Sequence, residues 1–106
     1  MREKINYLLK TINNLCNKRV MVIGDVFLDE YDFGEVNTVS TGIKVPIVEA
    51  KISRNSLGGA GNVAANISAL TSNASFLTQY ANDDSGKKIE QLLIQYNIFN
   101  SMLPGK

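Results

Sequence analysis

Four apolar residues in succession, Val20-Met21-Val22-Ile23, closed by Gly24-Asp25, set the first limit on the fold. A strand with one wet face alternates apolar and polar residues. An unbroken run of this length fits a strand buried on both faces, as in a parallel sheet flanked by helices. The helices are legible too. Ile5, Leu8, Leu9, Ile12 and Leu15 recur at helical spacing ahead of the run, and Asn13, Asn14 and Asn17 crowd the end of that stripe and favour its termination. Beyond it, Val63, Ile67 and Leu70 mark one helix face, and Ile89, Leu92, Leu93 and Tyr96 mark another.

Between the first strand and the second helix lies a β-rich stretch. Residues 31–39 and 45–52 alternate partially and predict two strands, and Pro46 suggests an edge position for the second because proline cannot complete a ladder. Ala74 to Tyr80 is strand-like, Asn82-Asp83-Asp84-Ser85-Gly86 predicts a turn containing a helix cap, and Ile98-Phe99 begins a last strand before the turn residues Pro104-Gly105. The order is helix, strand, β-rich insert, helix, strand, helix. That is an α/β chain with an antiparallel excursion after its first strand.

With 106 residues, the chain is one domain at most. A formal net charge of +1 gives no reason to expect nucleic acid or a membrane surface as partner, and Lys87-Lys88 fits a solvated helix face. Cys16 is the single cysteine and histidine is absent, which removes an internal disulfide, a cysteine-rich metal site and the commonest general base. The start, Met1-Arg2-Glu3-Lys4, lacks the apolar block of a signal peptide, and no stretch approaches a membrane span, so a cytoplasmic location is expected.

The chemistry concentrates at Gly58-Gly59-Ala60-Gly61-Asn62-Val63-Ala64, a glycine run opening into an alanine-rich helix. Glycines let the backbone approach a ligand, and a helix start offers unpaired N–H donors with a partial positive charge. An oxygen-rich ligand suits such a place, and the Asn62 amide can both donate and accept toward hydroxyls. Tight packing of a helix on a sheet accounts for the glycines equally well. The same residues satisfy the dinucleotide fingerprint G-x-G-x-x-A, with Asp83 roughly where its ribose-binding acid would stand. A small Rossmann-type nucleotide module is therefore the alternative, although Ser53-Arg54-Asn55-Ser56 precedes the glycines where a buried strand belongs. Asp25 and Asp29 follow the first strand at its carboxyl end, the ligand-binding edge of open α/β sheets. Asp25 also fits a turn residue satisfying local N–H groups, and Asp83-Asp84 fits a turn and cap better than a cation site.

Taken together, these segments resemble the ribokinase-like sugar kinases of the phosphofructokinase-B group. Gly58 to Ala64 is similar to the amino-terminal family signature, Val22 to Asp29 to the first strand and its turn, and Asn82 to Gly86 to the G-D-D-x-G turn. Within the family, Gly24-Asp25-Val26-Phe27-Leu28-Asp29-Glu30-Tyr31 resembles the G-D-V-x-L-D-x-Y of heptose 7-phosphate kinases, which are often fused to an adenylyltransferase. Val45-Pro46-Ile47-Val48 resembles the tail of their S-P-E-A-P-V-P-V-V. Ser40-Thr41-Gly42-Ile43-Lys44 replaces S-P-E-A-P, and Thr71 and Ala81 stand where the pattern carries glycines.

The resemblance implies a parallel sheet flanked by helices, with a small β lid at residues 31–52 over a sugar. It implies transfer of the γ-phosphoryl group of ATP to a sugar hydroxyl, with magnesium, in the supply of ADP-heptose for lipopolysaccharide. Asp29 and Asn62 would take sugar hydroxyls, and Gly58 and Gly59 would give backbone access. Lid strands of this kind also pair between subunits, which makes a homodimer an expectation. The family's catalytic aspartate lies in a G-A-G-D motif with the ATP site. Gly59-Ala60-Gly61-Asn62 carries asparagine there and matches the sugar signature instead. Residues 1–106 are thus expected to be the amino-terminal part of a kinase domain, with no catalytic or metal-binding residue of their own and no activity alone.

Overall fold

The computed structural model describes residues 1–102, so Pro104-Gly105 lies outside the described residues. In chain order the elements are α1 (Arg2–Leu15), β1 (Arg19–Ile23), β2 (Val26–Val39), β3 (Pro46–Gly59), α2 (Ala60–Leu70), β4 (Asn73–Thr78), α3 (Asp84–Gln95) and β5 (Phe99–Met102). They form two sheets. β1, β4 and β5 make a parallel sheet in the order β1-β4-β5, while β2 and β3 make a separate antiparallel hairpin. The expected class, α/β with a parallel sheet and flanking helices, is the observed one.

Helices α2 and α3 lie on one face of the parallel sheet, and the core sits between them and it. Phe76 and Leu93 are fully buried there, joined by Ala64, Ile89 and Ile98 and by Val26 and Leu57 from the base of the hairpin. β4 is the central strand, and its Ala74, Phe76 and Thr78 point inward at period two. α3 starts as expected: Asp83 is its N-cap, with the carboxylate accepting the Gly86 N–H at 2.8 Å.

Three expectations are corrected. β1 is not buried on both faces: it is an edge strand covered by α2 on one side, so Val20 and Val22 are half-buried while Met21 and Ile23 stay exposed. α2 buries Gly61 and Ala64 rather than Val63 and Leu70, both of which are about half exposed. The glycines let this face come closer than a branched side chain would: a Cβ on Gly61 would lie 2.8 Å from Val26. The strands of the hairpin are also much longer than 31–39 and 45–52, because each continues inward to reach the body at Val26 and Gly59. Pro46 opens β3, a position that asks for no ladder N–H.

α1 forms over the expected stripe yet buries none of it; Ile5, Leu8, Leu9 and Ile12 remain half exposed. The molecule measures 60 × 46 × 20 Å with a radius of gyration of 19.1 Å. A compact domain of this size has about 13 Å. The hairpin and α1 stand off the core.

Candidate functional site

The hairpin base, the end of β1 and the start of α2 meet at the glycine run. Gly58 and Gly59 are the last residues of β3, and α2 follows with no intervening loop. Gly59 makes the change of direction at φ +60° and ψ −136°, a conformation open to glycine and costly to any residue with a Cβ. The Ala60 N–H then donates to the Asp25 carbonyl at 2.9 Å, tying the helix start to the end of β1. Asp25 therefore contributes its backbone, and its side chain stays exposed.

Asp29 and Gly58 are almost thirty residues apart in sequence and adjacent in space. Antiparallel register pairs Phe27 with Gly58 and Asp29 with Ser56, placing Asp29 diagonally across from Gly58 on one face. The Asp29 carboxylate occupies the space a Cβ on Gly58 would need, with Oδ2 only 2.5 Å from that point. Only glycine leaves the carboxylate this position. Asp29 is half-buried there, with no hydrogen bond or ion pair among the described residues. Asn62 sits exposed in the first turn of α2, whose N-terminus has no side-chain cap. The structure thus joins Asp29, Gly58 and Gly59 directly and sets Asn62 on the helix turn that follows.

The opposite face of the hairpin is structural. Leu28 and Leu57 turn toward the core, and Glu30 pairs with Lys88 of α3 at 3.2 Å. Lys88 is thus an anchor, not merely part of a solvated face. At the carboxyl end of β4, Tyr80 accepts a hydrogen bond from the Asn100 amide at 2.9 Å. Burial pushes its hydroxyl above the ordinary tyrosine value, the Asn100 contact opposes this, and the charge of Glu90 adds to it. Asp83, the residue placed near the ribose position of the dinucleotide fingerprint, is the N-cap of α3.

Sequence comparison gives the site its context. The bifunctional protein HldE of Actinobacillus pleuropneumoniae is 39% identical over 84 residues, which is 79% of this chain and 18% of that protein. HldE of Koribacter versatilis is 38% identical over 94 residues, 88% of this chain and 19% of that protein. The D-beta-D-heptose 7-phosphate kinase of Bordetella bronchiseptica is 37% identical over 84 residues, 79% of this chain and 27% of that protein. Over most of its length the chain is thus similar to the kinase part of HldE and to a heptose 7-phosphate kinase. No protein-family model matches it. It spans about a fifth to a quarter of the length of these curated relatives.

Among the ribokinase-like features, two departures have visible reasons. Thr71 is buried, and its hydroxyl donates to the carbonyls of Lys18 and Cys16 while accepting the Asn73 N–H at 3.2 Å. It fastens the end of α2 to the segment before β1, work that a glycine could not do. Ala81 is exposed in the turn before α3, so its methyl group lies at the surface. Sequence reasoning did not single out Phe27, whose ring packs where a Cβ on Gly59 would lie, 2.6 Å away.

Proposed function

We propose that residues 1–106 form the amino-terminal, sugar-binding part of an ATP-dependent carbohydrate kinase acting on a heptose 7-phosphate or a related sugar, in the supply of ADP-heptose for lipopolysaccharide. The observation that carries this reading is the unpartnered Asp29 carboxylate held over Gly58 beside the start of α2. A carboxylate accepts from two hydroxyls at once, and glycine backbone lets a sugar ring lie close. Asp29 and Asn62 take hydroxyls, Gly58 and Gly59 give access, and the hairpin covers the ligand. The relatives' names, among them a heptose 7-phosphate kinase, support the substrate class. The glycines end an antiparallel hairpin strand rather than a strand of the parallel sheet, which favours this reading over a dinucleotide module.

ATP supplies the phosphoryl group in this family, and magnesium its charge balance. Among the described residues no group of three or more His, Cys, Asp or Glu is placed to hold a metal ion. The part played by this segment is to bind and orient the acceptor hydroxyl, an effect that acts through positioning. Pairing of hairpin strands between two copies would make the kinase a homodimer. No helix among the described residues is long and apolar enough to cross a membrane, and we place the kinase in the cytoplasm.

The test uses the complete kinase. Asp29→Ala or Asn62→Ala removes a hydrogen-bonding partner worth about 1–3 kcal/mol, so kcat/KM for the sugar falls about 5- to 150-fold. The KM for ATP stays within about twofold. Unaltered sugar kinetics with weakened ATP use would refute the assignment. The 106-residue chain by itself should release no ADP above background with ATP, magnesium and heptose 7-phosphate.

A further inference from the structure

The face of the hairpin that carries Asp29 carries one more chemical group in position to meet a ligand. Register pairs Asp29 with Ser56, Tyr31 with Arg54 and Phe33 with Ile52, and these six side chains share one face. Arg54 is therefore one step further out along the hairpin than Asp29, on the same side. Diagonal neighbours in an antiparallel pair lie about 7–8 Å apart. The two strand positions thus bracket a span about as long as a sugar.

The guanidinium is held and yet unspent. Its carbon lies 5.8 Å from the centroid of the Phe33 ring, within reach of a cation–π contact that uses none of its N–H groups in a hydrogen bond. The other basic side chain on the hairpin walls is paired, Lys51 with Glu35 at 2.9 Å, and Glu30 is taken by Lys88. Arg54 has no carboxylate or hydrogen-bond partner among the described residues, although Asp29 shares its face. A planar fork without a counter-charge suits a bidentate oxyanion, and phosphate above all. A hydroxyl would use one N–H and leave the charge unanswered.

We propose that Arg54 binds the phosphate at the far end of the acceptor sugar, so that the chain reads a sugar phosphate from both ends. Asp29 takes the hydroxyls near the hairpin base, and repels the phosphate outward to Arg54, the free cation on that face among the described residues. This inference rests on the sugar-binding reading above and goes beyond it by naming the residue that separates a phosphorylated acceptor from the bare sugar.

Two measurements test it. In the complete kinase, Arg54→Ala should raise the KM for heptose 7-phosphate at least tenfold with kcat within about threefold, and leave the KM for the unphosphorylated heptose within twofold. Arg54→Lys should restore part of the loss, since a point charge keeps attraction without the fork. In the 106-residue chain labelled with nitrogen-15, inorganic phosphate and heptose 7-phosphate should both shift the Arg54 Nε–H resonance, and the bare heptose should not. Equal weakening of both sugars by Arg54→Ala, or a phosphate titration that leaves Nε–H unmoved, would overturn the role of Arg54 alone. Loss of discrimination on Asp29→Ala with no change in sugar affinity would instead overturn the underlying reading, so the two failures are distinguishable.

Discussion

Phe76 and Phe33 are the same residue in two strands of one chain, the first fully buried and the second 52% exposed. Phe76 sits in the central strand of a sheet capped by two helices, so its ring lost all its water on folding. Phe33 sits in a two-stranded ribbon with no layer over it. The body is held by burial, which is non-directional and cooperative. The hairpin is held by its backbone ladder and by cross-strand pairs: Asp32 with Ser53, Glu35 with Lys51, Phe33 with Arg54. A two-stranded ribbon alone is marginal in water. Its base is fixed because Val26 and Leu57 enter the core, and the order of Asp29 and Gly58 derives from that base.

The sharpest way to break the comparison is to truncate both rings. Phe76→Ala should destabilise the chain by about 3–5 kcal/mol, a large share of the roughly 5–15 kcal/mol available to a whole domain. Phe33→Ala should cost within about 0.5–1 kcal/mol, the value of a cross-strand pair plus its stacked cation. Urea titration of both variants separates them. If Phe33→Ala proved as damaging as Phe76→Ala, the hairpin would have a core of its own and the contrast would fail.

Gly58→Ala comes next, because it strikes where the two regions join. The new methyl would stand 2.5 Å from Asp29 Oδ2, so the carboxylate must leave its place. Overpacking of this kind costs about 1–3 kcal/mol. Asp29→Ala in the same chain removes the obstructing atoms, so the double variant should be more stable than the sum of the singles predicts. Strict additivity would mean that the carboxylate does not rest on Gly58.

How much of this was legible in the residues depends on whether the signal is local. The Asp83 cap and the α3 stripe were readable because each is written within a dozen residues, and the α/β class because helical and strand patterns alternate along the chain. The apolar run at Val20–Ile23 was read as doubly buried, yet apolar character says only that a strand favours cover and not that it has it. The inner hairpin, Val26–Glu30 and Ser53–Gly59, escaped the strand pattern because one of its faces serves the core and the other the site, which mixes residue types. Asp29 and Gly58 meet through register, a long-range fact: the glycine run and the end of the first strand singled out each alone, and the family likeness gave them a shared role. Arg54 could have been found by counting back in twos from Gly58 along β3, had that stretch been read as strand.

The smallest expected effect tests how the hairpin is held against the body. Lys88 of α3 and Glu30 of β2 form an ion pair at 3.2 Å, and both side chains are about half exposed. Exposed pairs are worth about 0–1 kcal/mol, since water screens them and holding two long side chains costs entropy. Glu30→Gln should therefore barely move global stability, and the small change should shrink further in 1 M salt, where the screening length is about 3 Å. Its local consequence differs. Glu30 is the first hairpin residue beyond Leu28 to touch the body on that face, so losing the pair frees the ribbon from that point outward while Val26, Leu28 and Leu57 keep the base in the core. Amide exchange should accordingly quicken at Tyr31–Phe33 and Ile52–Arg54 and remain unchanged at Phe76 and Leu77. Uniform acceleration across hairpin and body would show that the ion pair stabilises the chain as one cooperative unit, and that the division drawn between the two regions is wrong.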